Sequence, residues 1–525
     1  MYSDKAHINY LTQVLQALDI TDIVACPGAR NAPLCHNFYQ AGFPLHPVTD
    51  ERSAAFVAIG IYLETKRPTV VCVTSGTALL NTLPAVAEAF YRHIPLIVLS
   101  ADRPEAWIGQ LDGQTLPQQN ALHPYAPCLN IHEASTLKDI EDGIKNTLSA
   151  THPSHINIEL EEPLFHINKA TLSDCNIDKY NLTNDYSNCK ESALKKVADA
   201  INNAKFPLLI MGQQEEFAPE LFDVLSTRIA LLPEIISNAG GAELSDKLEK
   251  LLSSGKALQT TPDLVVHVGG AFICKQVKLY LRKLPDTKII RIGLEDTPPK
   301  TFGSVVFSVQ NDPIAFLREL LPMLPERDCN MRWIAQINEL FSTLPSAPIT
   351  LEEQAIIAFE ESMRAHGVRA LHLANSSSVR WANSRIESGR YPVFCNRGVN
   401  GIEGSLSTAV GHALATDKLV GCIIGDLSFF YDANALWNTQ LKGNLIILLL
   451  NNSKGKIFYK LGGLKDSPAL EQFIAAQHHA TAEGICSSYS INHKYISNYQ
   501  EINECISKHI KSRNNRPLVL EFTCN

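Results

Sequence analysis

Two polar residues, Asp426 and Asn452, each follow a strongly apolar run of the sequence, at 419–424 and at 445–450. Apolar runs of this length that end in polar turn residues are typical of buried parallel strands. Neighbouring parallel strands would bring both side chains to one edge of a sheet, where open α/β folds bind ligands. A carboxylate, an amide oxygen and a nearby backbone carbonyl are oxygen ligands that suit Mg²⁺. This segment therefore predicts a site for a divalent metal that carries a diphosphate.

Two further polar positions have both a simple structural interpretation and a functional one. Asp50 and Glu51 open an apolar helical pattern, and acidic residues in a first turn are favoured by the helix dipole alone. Ser376 follows a predicted strand, where a hydroxyl group and backbone amides can meet a phosphate or a carboxylate. The same serine could simply cap the next helix. Neither position indicates a function by itself.

The positioning of these residues requires strands that alternate with helices, and the sequence predicts such an alternation in three blocks. Strands that alternate with helices imply a parallel, doubly wound sheet. A polar stretch at 173–189 is predicted to link the first two blocks, and a Pro-containing stretch near 322–348 closes the second. The strands are predicted at 23–26, 69–73, 95–100 and 156–160, then at 207–211, 264–268, 288–292 and 304–308, then at 370–374, 392–395, 419–424, 445–450 and 517–522.

Composition excludes several classes of protein. The chain has 525 residues, 45% hydrophobic and 19% charged, which is ordinary for a globular protein with two to four domains. The formal net charge is −8 and no long Lys/Arg block occurs, so we expect no nucleic-acid partner. The 13 cysteines are scattered without zinc spacing, which favours a reducing cytoplasm. The N-terminus lacks a signal-peptide pattern, and the run at 445–450 is too short to span a membrane.

Six short motifs occur in order along the chain: CPGAR at 26–30, DERSA at 50–54, TSGTA at 74–78, ADRP at 101–104, NRG with GIEG at 396–404, and GDLS at 425–428. Six motifs in order are specific, whereas any one alone is not; they cover the first and third blocks well and the middle block thinly. In these motifs and their order the chain resembles the MenD family, the 2-succinyl-5-enolpyruvyl-6-hydroxy-3-cyclohexene-1-carboxylate synthases of menaquinone biosynthesis.

The resemblance implies a fold, a cofactor and a subunit arrangement. It implies an α/β protein of three doubly wound parallel-sheet domains with the pyruvate-oxidase-like architecture of thiamine diphosphate enzymes. A pyrimidine-binding domain would span 1–172, a central domain 190–325 and a diphosphate-binding domain 350–525. The cofactors would be thiamine diphosphate and Mg²⁺ or Mn²⁺. Each active site would lie between two subunits of a homodimer or homotetramer.

The resemblance also assigns roles to individual residues. The metal ligands would be Asp426, Asn452 and the carbonyl group of Lys454. Glu51 would contact the aminopyrimidine ring and promote formation of the reactive ylide, because a carboxyl group in an apolar site can share a proton with that ring. Gln114 would handle protons or the acceptor. The remaining cofactor contacts would be Ser376, the apolar wedge Ile402, and the apolar wall of Ile457, Phe458 and Leu461.

The family's substrates, 2-oxoglutarate and isochorismate, each carry two carboxylates, which arginine side chains bind well. The residues that match family positions at or near the substrates are Arg30, Arg103, Lys275, Arg380 and Arg397.

Three positions differ from the family pattern: Ala29 replaces a serine, Gln276 replaces a basic residue, and Lys454 replaces a glycine. Two alternatives follow from these differences. One is another thiamine diphosphate-dependent decarboxylase or carboligase, similar to acetohydroxyacid synthase. The other is a degenerate homologue that binds ligand without catalysis. A nucleotide-binding α/β protein is disfavoured because the chain has no Walker A motif and no GxGxxG after a strand.

Overall fold

Runs of Val, Ile and Leu form the strands of this protein, and they are buried on both faces because helices cover both sides of each sheet. The computed structural model describes residues 1–169, 172, 175, 177, 186, 188–256 and 258–523. Most of the predicted linker at 173–189 lies outside these residues. Within the described part of the chain, no helix is both long enough and apolar enough to cross a membrane.

The first part of the chain forms a parallel sheet in the strand order β3-β2-β4-β5-β7-β6, and β1 and β8 pair separately in antiparallel fashion. The elements are β1 (Tyr2–Ser3), α1 (Ala6–Ala17), β2 (Ile23–Ala25), α2 (Ala32–Gln40), β3 (Leu45–Pro47), α3 (Glu51–Thr65), β4 (Thr69–Val73), α4 (Thr77–Asn81), α5 (Leu83–Tyr91), β5 (Leu96–Asp102), β6 (Cys128–Ile131), α6 (Leu137–Thr147), β7 (Ser154–Glu159) and β8 (Ile167–Asn168).

The middle part forms a second parallel sheet, in the order β10-β9-β11-β12-β13. Helix α12 follows residue 325, the predicted end of the central domain, and packs Trp333 and Ile337 into the core of this sheet. The elements are α7 (Glu191–Asn203), β9 (Pro207–Met211), α8 (Pro219–Leu225), β10 (Ala230–Pro233), α9 (Glu243–Ser253), β11 (Leu264–Val268), α10 (Lys275–Arg282), β12 (Lys288–Gly293), β13 (Val305–Gln310), α11 (Pro313–Leu320) and α12 (Cys329–Ser342).

The last part forms a third parallel sheet, in the order β15-β14-β16-β17-β19-β18. Its strand β16 runs beside β17, with Gly425 opposite Leu450, which confirms that the two predicted strands are neighbours. The elements are α13 (Leu351–Ala365), β14 (Ala370–Leu373), α14 (Ser377–Arg385), β15 (Val393–Cys395), α15 (Ser405–Leu414), β16 (Val420–Gly425), α16 (Asp426–Tyr431), β17 (Leu445–Asn451), α17 (Glu483–Ser488), β18 (Asn492–Ile496), α18 (Ile502–Lys511) and β19 (Leu518–Thr523).

The first and third sheets have the same topology. Numbered from the first strand of each sheet, both follow the order 2-1-3-4-6-5, although their sequences show no direct similarity. The fold class predicted from the sequence, α/β with three doubly wound parallel sheets, is confirmed. Each sheet lies in one of the three predicted segments, while the domain boundaries themselves stay a prediction.

Two helices bring the first and third sheets together. A Cβ atom on Gly60 of α3 would lie 2.0 Å from the carbonyl oxygen of Thr408, and one on Gly411 of α15 would lie 2.0 Å from the carbonyl oxygen of Val57. The two backbones therefore touch where the helices cross, which only glycine permits. Their apolar side chains belong to one core that the two parts of the chain share. This packing fixes the start of α3, where Glu51 stands, relative to the third sheet.

Candidate active site

Asp426 lies at the first position of α16, directly after β16, and only 4% of its surface is exposed. Its Oδ1 accepts the backbone N–H of Leu427 at 2.7 Å, while Oδ2 accepts those of Asn452 at 3.1 Å and Lys454 at 3.2 Å. Burial raises the pKa of Asp426, and these three N–H groups oppose that effect by stabilising the charged form. The carboxylate thus holds the loop that follows β17 in place.

That loop presents two more oxygen atoms beside the carboxylate. The Oδ1 atom of Asn452 is buried and has no hydrogen-bond partner among the described residues. The carbonyl oxygen of Lys454 accepts the N–H of Lys456 at 2.9 Å and keeps a second lone pair. Ser453 takes the positive φ of the loop, 62°, so Lys454 needs no glycine-like backbone. A buried amide oxygen without a partner next to a carboxylate is what a hard cation requires.

Among the residues that the structure describes, no cluster of three or more His, Cys, Asp or Glu side chains is placed to hold a metal ion. A cation at this edge of the third sheet would therefore depend on amide and backbone oxygens as well as on Asp426. This donor set fits Mg²⁺ or Mn²⁺ better than a soft metal.

The neighbouring strand β14 ends in a strained turn on the same edge. Ser376 precedes α14 with φ 74° and ψ −123°, a conformation that is rare for residues other than glycine. Its carbonyl oxygen accepts a hydrogen bond from Nη1 of Arg380 at 2.6 Å. The preceding residue, Asn375, donates its Nδ2 to the carbonyl of Gly401 at 2.7 Å, beside Ile402. The predicted cofactor residues Ser376 and Ile402 are therefore tied to adjoining turns.

The predicted apolar cofactor contacts are only partly covered in the single chain. Ile402 is 36% exposed and Leu461 46% exposed, while Ile457 and Phe458 are half-buried on a short 3-10 helix, Lys456–Lys460. Partly exposed apolar side chains of this kind can contact a ring system or another polypeptide.

Glu51 occupies the first turn of α3, as predicted. Asp50 caps this helix by accepting the N–H groups of Arg52 at 3.0 Å and Ser53 at 3.2 Å. Oε2 of Glu51 accepts a hydrogen bond from Nδ2 of Asn81 at 3.2 Å. In the described single chain, Glu51 lines neither of the two cavities reported below.

A cavity of about 460 Å³ in the first part of the chain brings three predicted residues together: Arg30, Arg103 and Gln114. Arg30 is buried, donates to the carbonyl of Leu160 at 2.8 Å and contacts Glu162 at 3.1 Å. Burial and the nearby charge of Arg103 both lower the pKa of Arg30. The Nε atom of Arg103 is buried and has no hydrogen-bond partner in the described part of the chain. Two guanidinium groups opposite one carboxylate leave a positive charge that a carboxylate ligand could neutralise.

The other predicted basic residues lie in the third and middle parts of the chain. Arg397 donates to Oδ1 of Asn375 at 3.1 Å and lines a larger cavity of about 910 Å³. Burial first, and then the charge of Arg397, lower the pKa of Arg380. Lys275 is exposed at the start of α10, whereas Lys278, one turn later, lines the cavity with Arg397. The structure thus brings Lys278 to Arg397, and a substrate role for Lys275 stays a prediction.

The relatives of the chain are thiamine diphosphate enzymes, for which a metal and diphosphate site at the ends of β14, β16 and β17 is expected. The model described as "Thiamine pyrophosphate enzyme, N-terminal TPP binding domain" matches residues 7–124, and its C-terminal counterpart matches residues 357–522. A protein of Bacteroides thetaiotaomicron named 2-succinyl-5-enolpyruvyl-6-hydroxy-3-cyclohexene-1-carboxylate synthase is 37% identical, covering 96% of this chain and 93% of that protein. The chain belongs to this synthase family. A protein of Desulfotalea psychrophila with the same name is 33% identical over 93% of both chains.

Among solved structures, a benzoylformate decarboxylase from Polynucleobacter necessarius superposes with a TM-score of 0.75. The match covers 100% of this chain and 99% of that one, at 15% sequence identity. This likeness extends the shared fold to all three sheets, including the middle one. The synthase family is thiamine diphosphate-dependent, and its C-terminal match contains the ends of β14, β16 and β17 described above.

Three residues close to the two ends of α16 have no counterpart among the sequence predictions. His478 faces Asp426, with 3.4 Å between Nε2 and Oδ2. Arg52 donates to the carbonyl of Tyr431 at 2.9 Å and so docks α3 on α16. Asp432 accepts both the N–H and the hydroxyl of Ser407. Arg52 lies within the DERSA motif at 50–54, whereas His478 lies outside all six motifs in an irregular segment, so no sequence signal pointed to it.

Proposed function

We propose that this protein joins 2-oxoglutarate to isochorismate in menaquinone biosynthesis. The reaction is a thiamine diphosphate-dependent decarboxylation of 2-oxoglutarate, followed by 1,4-addition of the resulting succinyl carbanion to isochorismate. The product would be 2-succinyl-5-enolpyruvyl-6-hydroxy-3-cyclohexene-1-carboxylate. This proposal takes the substrates from the family and asks what the residues of this chain could do for them.

The observation that carries the proposal is the cavity that contains Arg30, Arg103 and Gln114. Both substrates are dicarboxylates, and the guanidinium groups of buried Arg30 and partly buried Arg103 could bind carboxylates through charge-assisted hydrogen bonds. A pyruvate-dependent relative would need less positive charge at this place. Gln114 lies close to Gly76: a Cβ atom on Gly76 would lie 3.2 Å from the carbonyl oxygen of Gln114. The side-chain amide of Gln114 could position the acceptor or relay a proton.

The third sheet edge would hold the cofactor through its metal. Asp426, Asn452 and the carbonyl of Lys454 would bind Mg²⁺ or Mn²⁺, and Ser376 would lie near the diphosphate. When bound, thiamine diphosphate supplies the electron sink for decarboxylation of a 2-oxoacid. The carboxyl group of Glu51 would hold and return a proton at the aminopyrimidine ring. Lining apolar residues would exclude water: Ile402, Ile457, Phe458 and Leu461.

A homodimer would complete the site, in keeping with the exposed apolar side chains at this edge. Glu51 of one subunit would then act with Asp426 and Asn452 of the other, and two dimers could associate as a tetramer. We also propose a cytoplasmic location, because free cysteines occur in all three parts of the chain, among them Cys72, Cys274 and Cys422.

The deciding experiment measures CO₂ release from 2-oxoglutarate and from pyruvate, each with and without isochorismate. We expect CO₂ release from 2-oxoglutarate, faster CO₂ release when isochorismate is present, and little CO₂ release from pyruvate. A clear preference for pyruvate would contradict the substrate assignment. Cofactor binding without turnover of either 2-oxoacid would instead support a degenerate, non-catalytic homologue.

A further inference from the structure

His478 is placed against the proposed metal site by its backbone. Its N–H donates to the carbonyl of Ser453 at 2.9 Å, and Nδ2 of Asn451 donates to the carbonyl of Ala480 at 2.9 Å. The turn at 478–480 is therefore tied on both sides to the loop that follows β17. The ring also packs at 82° to that of Phe430, with 5.4 Å between centroids, which restricts its rotation.

The hydrogen bonds of the ring define which nitrogen carries the proton. Nδ1 of His478 accepts the N–H of Ala480 at 3.1 Å, so the neutral imidazole carries its hydrogen on Nε2. Nε2 is buried, lies 3.4 Å from Oδ2 of Asp426 and makes no hydrogen bond within the described ranges of the chain. A shift of a few tenths of an ångström would turn this contact into a charge-assisted hydrogen bond.

We propose that His478 is a positioning residue for the metal-binding carboxylate of Asp426, an inference that rests on the proposed metal site. Oδ2 already accepts two backbone N–H groups, and Nε2–H of His478 would be its third donor. Oδ1 accepts only the N–H of Leu427, so the open lone pair of the carboxylate is on Oδ1. Groups that orient a metal ligand in this way typically change metal affinity by about 10–100-fold when removed.

The test uses calorimetry on the full-length protein: thiamine diphosphate is titrated at a series of Mg²⁺ concentrations. His478→Phe keeps an aromatic ring but removes the donor, whereas His478→Gln keeps an N–H donor near the position of Nε2. His479 is the adjacent, exposed histidine, and His479→Gln is the matched control. Thermal unfolding without metal and cofactor monitors folding of each variant.

We expect His478→Phe to raise the Mg²⁺ concentration for half-maximal cofactor binding by about 10–100-fold. His478→Gln should recover most of this loss, and His479→Gln should match wild type. An unchanged Mg²⁺ midpoint in His478→Phe would overturn the inference. The inference would also fail if His478→Phe bound the cofactor more weakly at saturating Mg²⁺ while its Mg²⁺ midpoint stayed the same. That result would indicate a direct contact between His478 and the diphosphate.

The Asp426→Ala variant tests the proposed metal site separately from the role of His478. Wild-type binding in Asp426→Ala would refute the metal site as a whole. Loss of binding in Asp426→Ala together with wild-type binding in His478→Phe would refute only the role of His478. If His478→Gln and His478→Phe lose binding equally and both unfold at lower temperature, the ring is structural and the inference also fails.

Discussion

Asp426 has two tasks that depend on each other. Its carboxylate would bind a cation, and the same carboxylate fixes the backbone N–H groups of Asn452 and Lys454. Asp426, the first proposed ligand, therefore holds the loop that carries the other two proposed oxygen ligands. Substitution of Asp426 would remove a charge and release that loop, whereas changes to the side chain of Lys454 would leave the ligand set intact.

Lys454 provides a sharp test at this scale. Its side chain leads away from the carboxylate: Nζ lies 4.5 Å from the ring centre of Tyr459 and 3.9 Å from Oε2 of Glu471. Because Ser453 takes the positive φ, neither Lys454→Gly nor Lys454→Ala should distort the loop. We expect both variants to keep the Mg²⁺ midpoint within about two-fold of wild type, since only the carbonyl group would bind. A tenfold shift in calorimetry would show that the ammonium group takes part.

Substitution of Arg103 tests the proposal that its cavity binds the substrates. Removal of its guanidinium group in Arg103→Ala should raise the KM for one of the two dicarboxylates by about 10–100-fold, because a charge-assisted hydrogen bond is worth about 1.5–3 kcal/mol. Calorimetric binding of thiamine diphosphate should not change. Arg67→Ala, at an exposed arginine, is the control. Unchanged KM values for both substrates would show that Arg103 does not bind either of them.

At the scale of elements, the sequence predicted the central strands well and the edge strands poorly. The predicted bounds of β4, β9 and β11 agree residue for residue with the structure. The missed strands of the parallel sheets are β3, β6, β10 and β18, and all four lie at sheet edges. Edge strands are short, and most of these are only partly buried, so they lack the long apolar run that marks a central strand.

The site residues that follow central strands could be predicted because the apolar runs of those strands are easy to recognise. Asp426 and Asn452 follow β16 and β17, whose apolar runs identify them, and the structure places the two residues together. His478 belongs to an irregular segment whose position depends on hydrogen bonds to a loop far away in sequence. Neither periodicity nor motif spacing carries that information.

The helix crossing between α3 and α15 gives a prediction for stability. Gly60→Ala would place a Cβ atom 2.0 Å from a backbone oxygen, so one of the helices must move. We expect a loss of about 1–3 kcal/mol or more in the free energy of unfolding, seen as a lower melting temperature. Gly484→Ala in α17, where no atom lies within 4 Å, should be neutral or stabilising. Equal melting temperatures for the two variants would contradict the close crossing.

The junction of α16 with α15 gives a prediction for pH. Burial raises the pKa of Asp432 to about 7, although Ser407 stabilises the charged form through two hydrogen bonds. Because the folded protein holds this proton more tightly than the unfolded chain, the stability that Asp432 contributes is full below about pH 4 and is lost as the pH rises to about 7.

Asp432→Asn should remove that dependence. Near pH 5 the variant should be least stable relative to wild type. Between pH 5 and pH 8 its free energy of unfolding should rise relative to that of wild type by an amount on the order of a few kcal/mol. Melting temperatures of both proteins across this range provide the measurement. A constant difference between the two proteins from pH 5 to pH 8 would show that Asp432 does not titrate there.

For the whole molecule, the question is whether one chain or two build each active site. In the single chain, Glu51 is tied to the first part through Asn81, while Arg52 holds the start of α3 to the end of α16. Asp426 stands at the opposite end of α16, so this helix links the proton-handling end of one proposed site to the metal end of the other. The proposed arrangement therefore predicts complementation between two inactive variants.

Glu51→Gln and Asp426→Ala should each abolish turnover, and coexpression of the two should restore part of it. In a mixed dimer, one site would combine both defects, whereas the other would combine the intact Glu51 with the intact Asp426. Random pairing makes half of the dimers mixed, so the sample should recover about a quarter of wild-type activity. Coexpression of two differently tagged Glu51→Gln chains is the control and should remain inactive. If each site were built within one chain, no pairing of these variants could restore turnover, and an inactive mixture would contradict the shared site.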